Sequence, residues 1–384
     1  LHMNMNVRMM SGLMVPMLFL LSGCTGGDGG PAGVREGTAA PAIVYVANNG
    51  SNTVSGYTIN ATTGALVAAT GSPFAAGTNP AAVAVSSNGA FAFVANSGSN
   101  NVSAYTINAT TGVLTAAGAA VAAGTNPSAI TVSPNGAFAF VANSGSNNVS
   151  AYTINATTGV LTAAGAAVAA GTNPSAITVS PNGAFAFVAN SGSNNVSAYT
   201  INSTTGALTA VAGGAVAAGT TPVAAAVSAN SSFLYVVNQG SNNVSAYAID
   251  AGTGALTALA GGTGNPFAAG TAPVGIAIAP NGSFVYVANS GTNNVSAYSV
   301  NIGTGALTAL AGGIGNPFAA GTTPAGITIA PNAAFVYVAN GGSNDVSAYT
   351  LDSGTGVLTA LAGGTGNPFA AGTSPSGIAT PGRP

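Results

Sequence analysis

The sequence predicts an all-β protein, a seven-bladed β-propeller of four-stranded antiparallel blades whose ring is closed by a C-terminal strand completing the first blade. Three observations predict it. The phrase Val-Ser-x-Tyr recurs seven times, ending at Tyr57, Tyr105, Tyr152, Tyr199, Tyr247, Tyr298 and Tyr349. Successive tyrosines stand 48, 47, 47, 48, 51 and 51 residues apart, a period that fits one four-stranded blade. The first and last segments of the repeat region are complementary fragments of a single unit.

Residues 1–23 read as a lipoprotein signal peptide. Arg8 supplies a minimal positive region, and residues 9–21 (MMSGLMVPMLFLL) supply an apolar run. That run is too short, and too broken by Gly12 and Pro16, for a good membrane span. It ends in Leu21-Ser22-Gly23-Cys24, which resembles the bacterial lipobox, where cleavage precedes a diacylglyceryl cysteine. Cys24, the chain's only cysteine, is therefore the expected lipid attachment site, and a lone cysteine excludes an internal disulfide. Two or three acyl chains give durable anchoring where one is marginal. Residues 24–40 are the lipidated cysteine and a Gly-rich tether with an end-to-end distance of roughly 20 to 25 Å. The expected location is exported: outer membrane, cell surface or extracellular, with the membrane as partner through the N-terminal lipid.

Residues 127–169 illustrate how one repeat makes one blade. Pro127 has no N–H to donate and suits the first position of a strand. Residues 128–133 (SAITVS) alternate and are β-branched, which marks a short inner strand. Pro134-Asn135-Gly136 is a turn, proline presetting φ and glycine accepting φ above zero. Residues 137–142 (AFAFVA) are apolar at both parities, as expected of a strand covered on both faces. A polar connection at 143–147 leads to a third strand over 148–154, and Thr158-Gly159 turns the chain into a fourth over 160–164. Each such blade buries both faces against its neighbours, so the ring must close. The unit opening at Pro41 begins at the second strand, IVYVAN, and lacks an inner strand. Residues 375–380 (PSGIAT) are an inner strand with no blade of their own. Joining the two gives seven blades over residues 41–380, followed by a tail at 381–384.

Tyr45-Val46-Ala47-Asn48, Tyr286-Val287-Ala288-Asn289 and Tyr337-Val338-Ala339-Asn340 resemble the signature of YVTN-repeat propellers. The longer phrase Tyr-Val-Ala-Asn-x-Gly-Ser-Asn-x-Val-Ser-x-Tyr, with Thr-Gly-x-Leu and Pro-Phe-Ala-Ala-Gly-Thr after it, is similar to the bacterial lactonase-type seven-bladed propeller family. The resemblance covers essentially all of residues 41–380 and implies the fold more specifically than the activity. The family includes 6-phosphogluconolactonase-like and carboxymuconate-cyclising enzymes, whose chemistry leans on His, Glu and Arg at one mouth of the central channel. Where relatives often place a basic residue after the inner-turn glycine, this chain has Ala90, Ala137 and Ala184.

The charge inventory narrows function further. The chain has no lysine; its arginines, Arg8, Arg35 and Arg383, lie outside the repeats, and its one histidine is His2. Nucleic-acid binding, which needs cations to displace phosphate counterions, is excluded. Phosphosugar recognition needs cationic donors, and general acid–base work needs a group titrating near neutrality; residues 41–380 contain no His, Glu, Lys or Arg. No catalytic residue is expected. Asp250, Asp345 and Asp352 replace asparagines at turn-proximal positions and read as solvated turn carboxylates, so neither a metal site nor a cofactor is expected. The ring of Asn48, Asn96, Asn143, Asn190, Asn238, Asn289 and Asn340 is the candidate polar face, set against the simpler reading that each amide bonds its own loop. Residues 96–142 and 143–189 are identical over 47 positions, and identical blades do not bring unlike catalytic groups together.

These features lead to the expectation of a non-catalytic, lipid-anchored extracytoplasmic propeller that binds a protein or carbohydrate ligand. The uncharged outer strands expected at residues 113–117, 160–164 and 255–259 extend this to a self-assembling surface protein, a homo-oligomer or filament. The longer outer connections at 261–267, 312–318 and 363–369 mark the C-terminal half as the recognition side. The alternative is a lactonase-type hydrolase that uses backbone donors and water. The anchoring expectation is checked by cell fractionation: Cys24→Ala releases the protein from membranes or leaves it unprocessed, and a variant processed and retained like wild type contradicts the lipoprotein reading.

Overall fold

In the computed structural model, which describes residues 42–260, 265–310, 316–362 and 366–381, every repeat forms one antiparallel sheet. In the repeat at 127–169 the inner strand is Pro127–Val132, the second Phe138–Asn143 and the third Asn148–Ile154. Register is carried by pairs such as Ile130↔Val141 and Phe140↔Ala151. The seven sheets surround a channel bordered by their inner strands, and each inner strand pairs in the backbone ladder with its own second strand alone.

The outer edge departs from the expected fourth strand. Instead of one strand over 160–164 there are two short pieces, Leu161–Ala163 and Val168–Ala169, and both pair with the third strand. Gly165, at φ 95°, turns the chain between them, a backbone conformation that favours glycine. In three blades the gap is filled by an asparagine side chain acting as a rung. Asn265 accepts from the Ala246 N–H at 2.8 Å and donates to the Ala246 carbonyl at 3.1 Å. Asn316 and Asn367 make the same contacts to Ala297 and Ala348. The outer rim is thus a row of short, interrupted segments, not the continuous edge expected from composition.

The core lies between blades. All seven second strands are buried along their whole length, because each presents one parity of side chains to either neighbour. Phe138, Phe140 and Ala142, for instance, pack with Ile177, Val188 and Tyr199 of the next blade. Each large side chain so buried stabilises the ring by about 1.5–3 kcal/mol. Close packing also sets glycine positions: a Cβ on Gly159 would stand 2.4 Å from the Phe91 ring of the preceding blade.

Polar stitches follow the same geometry. The Val-Ser-x-Tyr tyrosine of each blade donates to a carbonyl on the preceding blade's outermost piece, as Tyr152 does to Ala122 at 2.7 Å. In the first blade the acceptor is Ala370, 313 residues away, at 2.5 Å. Ser376 Oγ donates to the Pro80 carbonyl at 2.8 Å, tying the last inner strand to the next. Pro375–Ala379 pairs with Ile43–Asn48 through Tyr45↔Ala379 and Val46↔Ile378, so one blade is assembled from both ends of the repeat region, as expected.

Two outcomes follow from this packing. Deleting residues 375–384 strips the first blade of its inner strand and should lower the melting temperature of the whole ring; an unchanged melting temperature contradicts closure. The second concerns alkali. Burial raises the pKa of all eleven tyrosines, Tyr298 and Tyr349 to about 12. The folded chain keeps protons that an unfolded chain releases near pH ~10. Their contribution is therefore complete below about pH 10 and is lost as pH rises from there through about 12. Tyrosinate absorbance and loss of the β-sheet circular dichroism signal should rise together; independent titration near pH ~10 with the sheet intact contradicts this.

Candidate functional site

The two ends of the channel are built from different elements. At one end stand the prolines that open the inner strands and the polar loops after the second strands. At the other stand the turns that join inner to second strands.

The asparagine ring belongs to the first end and does not form a polar face. Asn48, Asn96, Asn143, Asn190, Asn238, Asn289 and Asn340 are each fully buried. Asn143 shows why. Its amide donates to Asn148 Oδ1 at 2.8 Å and Ser150 Oγ at 2.9 Å, and its oxygen accepts from the Gly124 N–H at 3.1 Å. It ties the third strand of its blade to the loop that arrives from the preceding blade. A Cβ on Gly124 would lie 2.7 Å from Asn143 Cγ, so only glycine admits the amide. Burying an amide demands that its bonds be satisfied within the protein, and here satisfaction takes it away from solvent. The seventh blade differs: Gly321 N–H donates to Ser347 Oγ, and Asn340 Oδ1 has no hydrogen-bond partner among the described residues.

The aspartates are also local. Asp250 accepts from the Gly252 and Thr253 N–H groups at 3.0 and 2.8 Å, and Asp352 from those of Gly354 and Thr355 at 2.8 and 3.1 Å. The Thr253 hydroxyl first, then these amides, hold the Asp250 carboxyl below the usual range; amides lead for Asp352. Asp345 accepts from Asn340 Nδ2 at 2.7 Å. Among the described residues no three His, Cys, Asp or Glu side chains gather as a metal site. Cys24 lies outside the described residues, as do residues 261–264, 311–315 and 363–365 of the longer outer connections.

The turn end holds a cavity of about 350 Å³ that opens on the channel. Its wall runs around unlike blades, from Thr178 and Val179 through Val227 and Ile278 to Ile329 and Thr380. These residues stand at the ends of the inner strands, Thr380 directly after Pro375–Ala379. In the aligned columns, the position of Thr380 carries Val85, Val132, Val179, Val227, Ile278 and Ile329 in the other six blades. Thr380 is thus the single hydroxyl in an aliphatic column, and this is the signal by which sequence reading could have found it. Thr380 Oγ1 donates to the Ile329 carbonyl at 3.0 Å and lies 3.1 Å from Thr328 Oγ1. A hydroxyl has one proton, so with that of Thr380 on the Ile329 carbonyl it is Thr328 that donates to Thr380, and Thr328 Oγ1 retains acceptor capacity.

Backbone completes the site. The Ala330 N–H bonds the Phe335 carbonyl, and the ladder continues through Thr328↔Tyr337. Alternation along an antiparallel pair then points the N–H and C=O groups of Ile329 and Ile327 away from the second strand, toward the channel. The same parity applies to Ile278, given Ala279 N–H to the Phe284 carbonyl. The mouth therefore combines aliphatic side chains, three threonine hydroxyls and a ring of outward-turned amides. Among the described residues it has no charged group in its wall.

Comparison with known proteins adds the context. The model of the family described as "Lactonase, 7-bladed beta-propeller" matches residues 34–173, 166–266 and 260–368. No curated protein matches the chain. A Bacteroides uniformis protein provisionally named a 6-phosphogluconolactonase is similar in structure at 20% identity, with a TM-score of 0.75 over 88% of this chain and 98% of its own. A Bacteroides fragilis protein of the same provisional name aligns at 20% identity and TM-score 0.75, over 91% of this chain and 99% of its own. The periplasmic gluconolactonase PpgL of Pseudomonas aeruginosa has 20% identity and a TM-score of 0.72, over 88% and 98%. At that identity the likeness to solved structures concerns the fold. The family match corrects the expectation of a non-catalytic binding or self-assembling protein: the matched family is described by lactonase activity, which favours the hydrolase alternative.

Proposed function

The chain belongs to the lactonase family of seven-bladed β-propellers, and from that membership we infer that it hydrolyses lactones at the turn-side mouth of its channel. The observation that carries the reading is the cavity walled by unlike blades, where channel-facing amides surround a hydroxyl acceptor.

In such a hydrolysis the oxygen of water adds to the lactone carbonyl carbon, and the carbonyl electron pair moves to its oxygen. The tetrahedral intermediate collapses by breaking the ring C–O bond, and the departing alkoxide takes up a proton, leaving a hydroxy acid. The amides of Ile278 and Ile329 suit the transient oxyanion, since donors fixed by the strands need no reorganisation as charge develops; one such donor is worth about 10²–10³ in rate. Thr328, its proton committed to Thr380, accepts from the attacking water and orients it. No residue of the cavity wall titrates near neutrality, so the chain contributes positioning and oxyanion stabilisation, and solvent takes the protons.

The test is acid release from glucono-δ-lactone by the purified full chain, corrected for the buffer rate. Hydrolysis above buffer is expected, in constant ratio to the buffer rate between about pH 6 and 9, because no enzyme group titrates in that window. Thr328→Val should lower the corrected rate by about tenfold, the worth of one hydrogen bond near 1.4 kcal/mol. Absence of hydrolysis above buffer across uncharged and phosphorylated lactones refutes the reading. A bell-shaped profile refutes the proposed division of labour.

A further inference from the structure

Resting on that reading, we propose that the site takes uncharged lactones bearing an apolar substituent, in preference to phosphorylated sugar lactones. The wall of the cavity carries the argument. Val179, Val227 and Ile278 end the inner strands of three successive blades, and each is packed against the core between blades yet stays partly exposed and lines the cavity. Ile329 continues this aliphatic arc to the Thr328–Thr380 pair. The cavity is therefore two-sided, with hydroxyls and a turned amide on one flank and aliphatic surface on the other. Its volume of about 350 Å³ lies at the small end for ligand pockets and suits one ring with a short chain.

Electrostatics points the same way. A phosphate dianion needs charge-assisted donors, and Arg, Lys or His supplies them where phosphate is held. Residues 42–381 contain none of the three, and their charged side chains are Asp250, Asp345 and Asp352, all anionic. A phosphoryl group entering the cavity would lose water and gain no cation, a penalty that a neutral alkyl chain avoids. An alkyl chain on the aliphatic arc instead gains from each methylene buried. Placing the lactone carbonyl beside Ile329 and Thr328 directs its substituent toward Ile278 and Val227.

The experiment compares buffer-corrected kcat/KM of the full chain for three δ-lactones: one with an unbranched alkyl chain, glucono-δ-lactone, and 6-phosphoglucono-δ-lactone. The expected order is alkyl, then glucono, then phosphorylated, with each added methylene raising kcat/KM about three- to fourfold until the cavity is filled. Val227→Thr and Ile278→Thr keep β-branched residues in their strands and should narrow the lead of the alkyl lactone over glucono-δ-lactone. Circular dichroism and the melting transition of each variant check that the ring is intact. Equal or better hydrolysis of the phosphorylated lactone overturns this inference while leaving the lactonase reading in place. A lead that both folded variants preserve also overturns it, since the aliphatic arc would then not hold the chain. Hydrolysis of none of the three overturns the lactonase reading itself.

Discussion

Mutual burial of blade faces is the constraint on which everything else depends. A blade of this sequence is apolar on both sides of its second strand, so in isolation it would leave two faces in water. Only a neighbour on each side removes that cost, and only a closed ring gives every blade two neighbours. The tyrosine and serine stitches reinforce the contact but do not create it. Their acceptors are backbone carbonyls on adjacent blades, so they form only once the faces have met.

The same constraint explains how a chain so poor in charge holds a site at all. Packing consumes the side chains of the second strands and the amides of the asparagine ring, leaving little chemistry there. What remains open is the free edge of each inner strand, whose backbone groups have no partner strand on the channel side. A propeller turns seven such edges toward one axis, and backbone amides held by a rigid scaffold are the donors suited to a developing oxyanion. Side-chain hydroxyls are added by Thr328, from a column that alternates between threonine and alanine, and by Thr380, where a blade breaks an aliphatic column.

Identity between repeats and function at the channel are reconciled by position. The two identical stretches, residues 96–142 and 143–189, each run from the third strand of one blade through its outer pieces to the inner and second strands of the next. The cavity takes Thr178 and Val179 from the second of these stretches and otherwise runs through the blades whose inner strands diverge: PVAAAV, PVGIAI, PAGITI and PSGIA. Asymmetry on one arc is enough to make unlike groups converge, even though part of the ring is repetitive.

Read alone, the sequence determined the all-β class, the seven repeats and the closure by residues 375–380, because period and alternation report directly on which faces are buried. It also determined that no cationic phosphate site exists within the repeats, since that is a matter of composition. The division of the outer edge into two pieces was not legible, because a three-residue strand and a two-residue strand carry too few side chains to show a period. Nor was the fate of the asparagine ring. An amide that bonds its own loop and one that faces solvent have the same sequence, and only the approach of Gly124 to Asn143 decides between them. The channel mouth was decided by tertiary structure as well. Its working groups are backbone amides, which every residue possesses, and the packing of successive inner strands side by side brings Thr380 within reach of Thr328, 52 residues away in the chain.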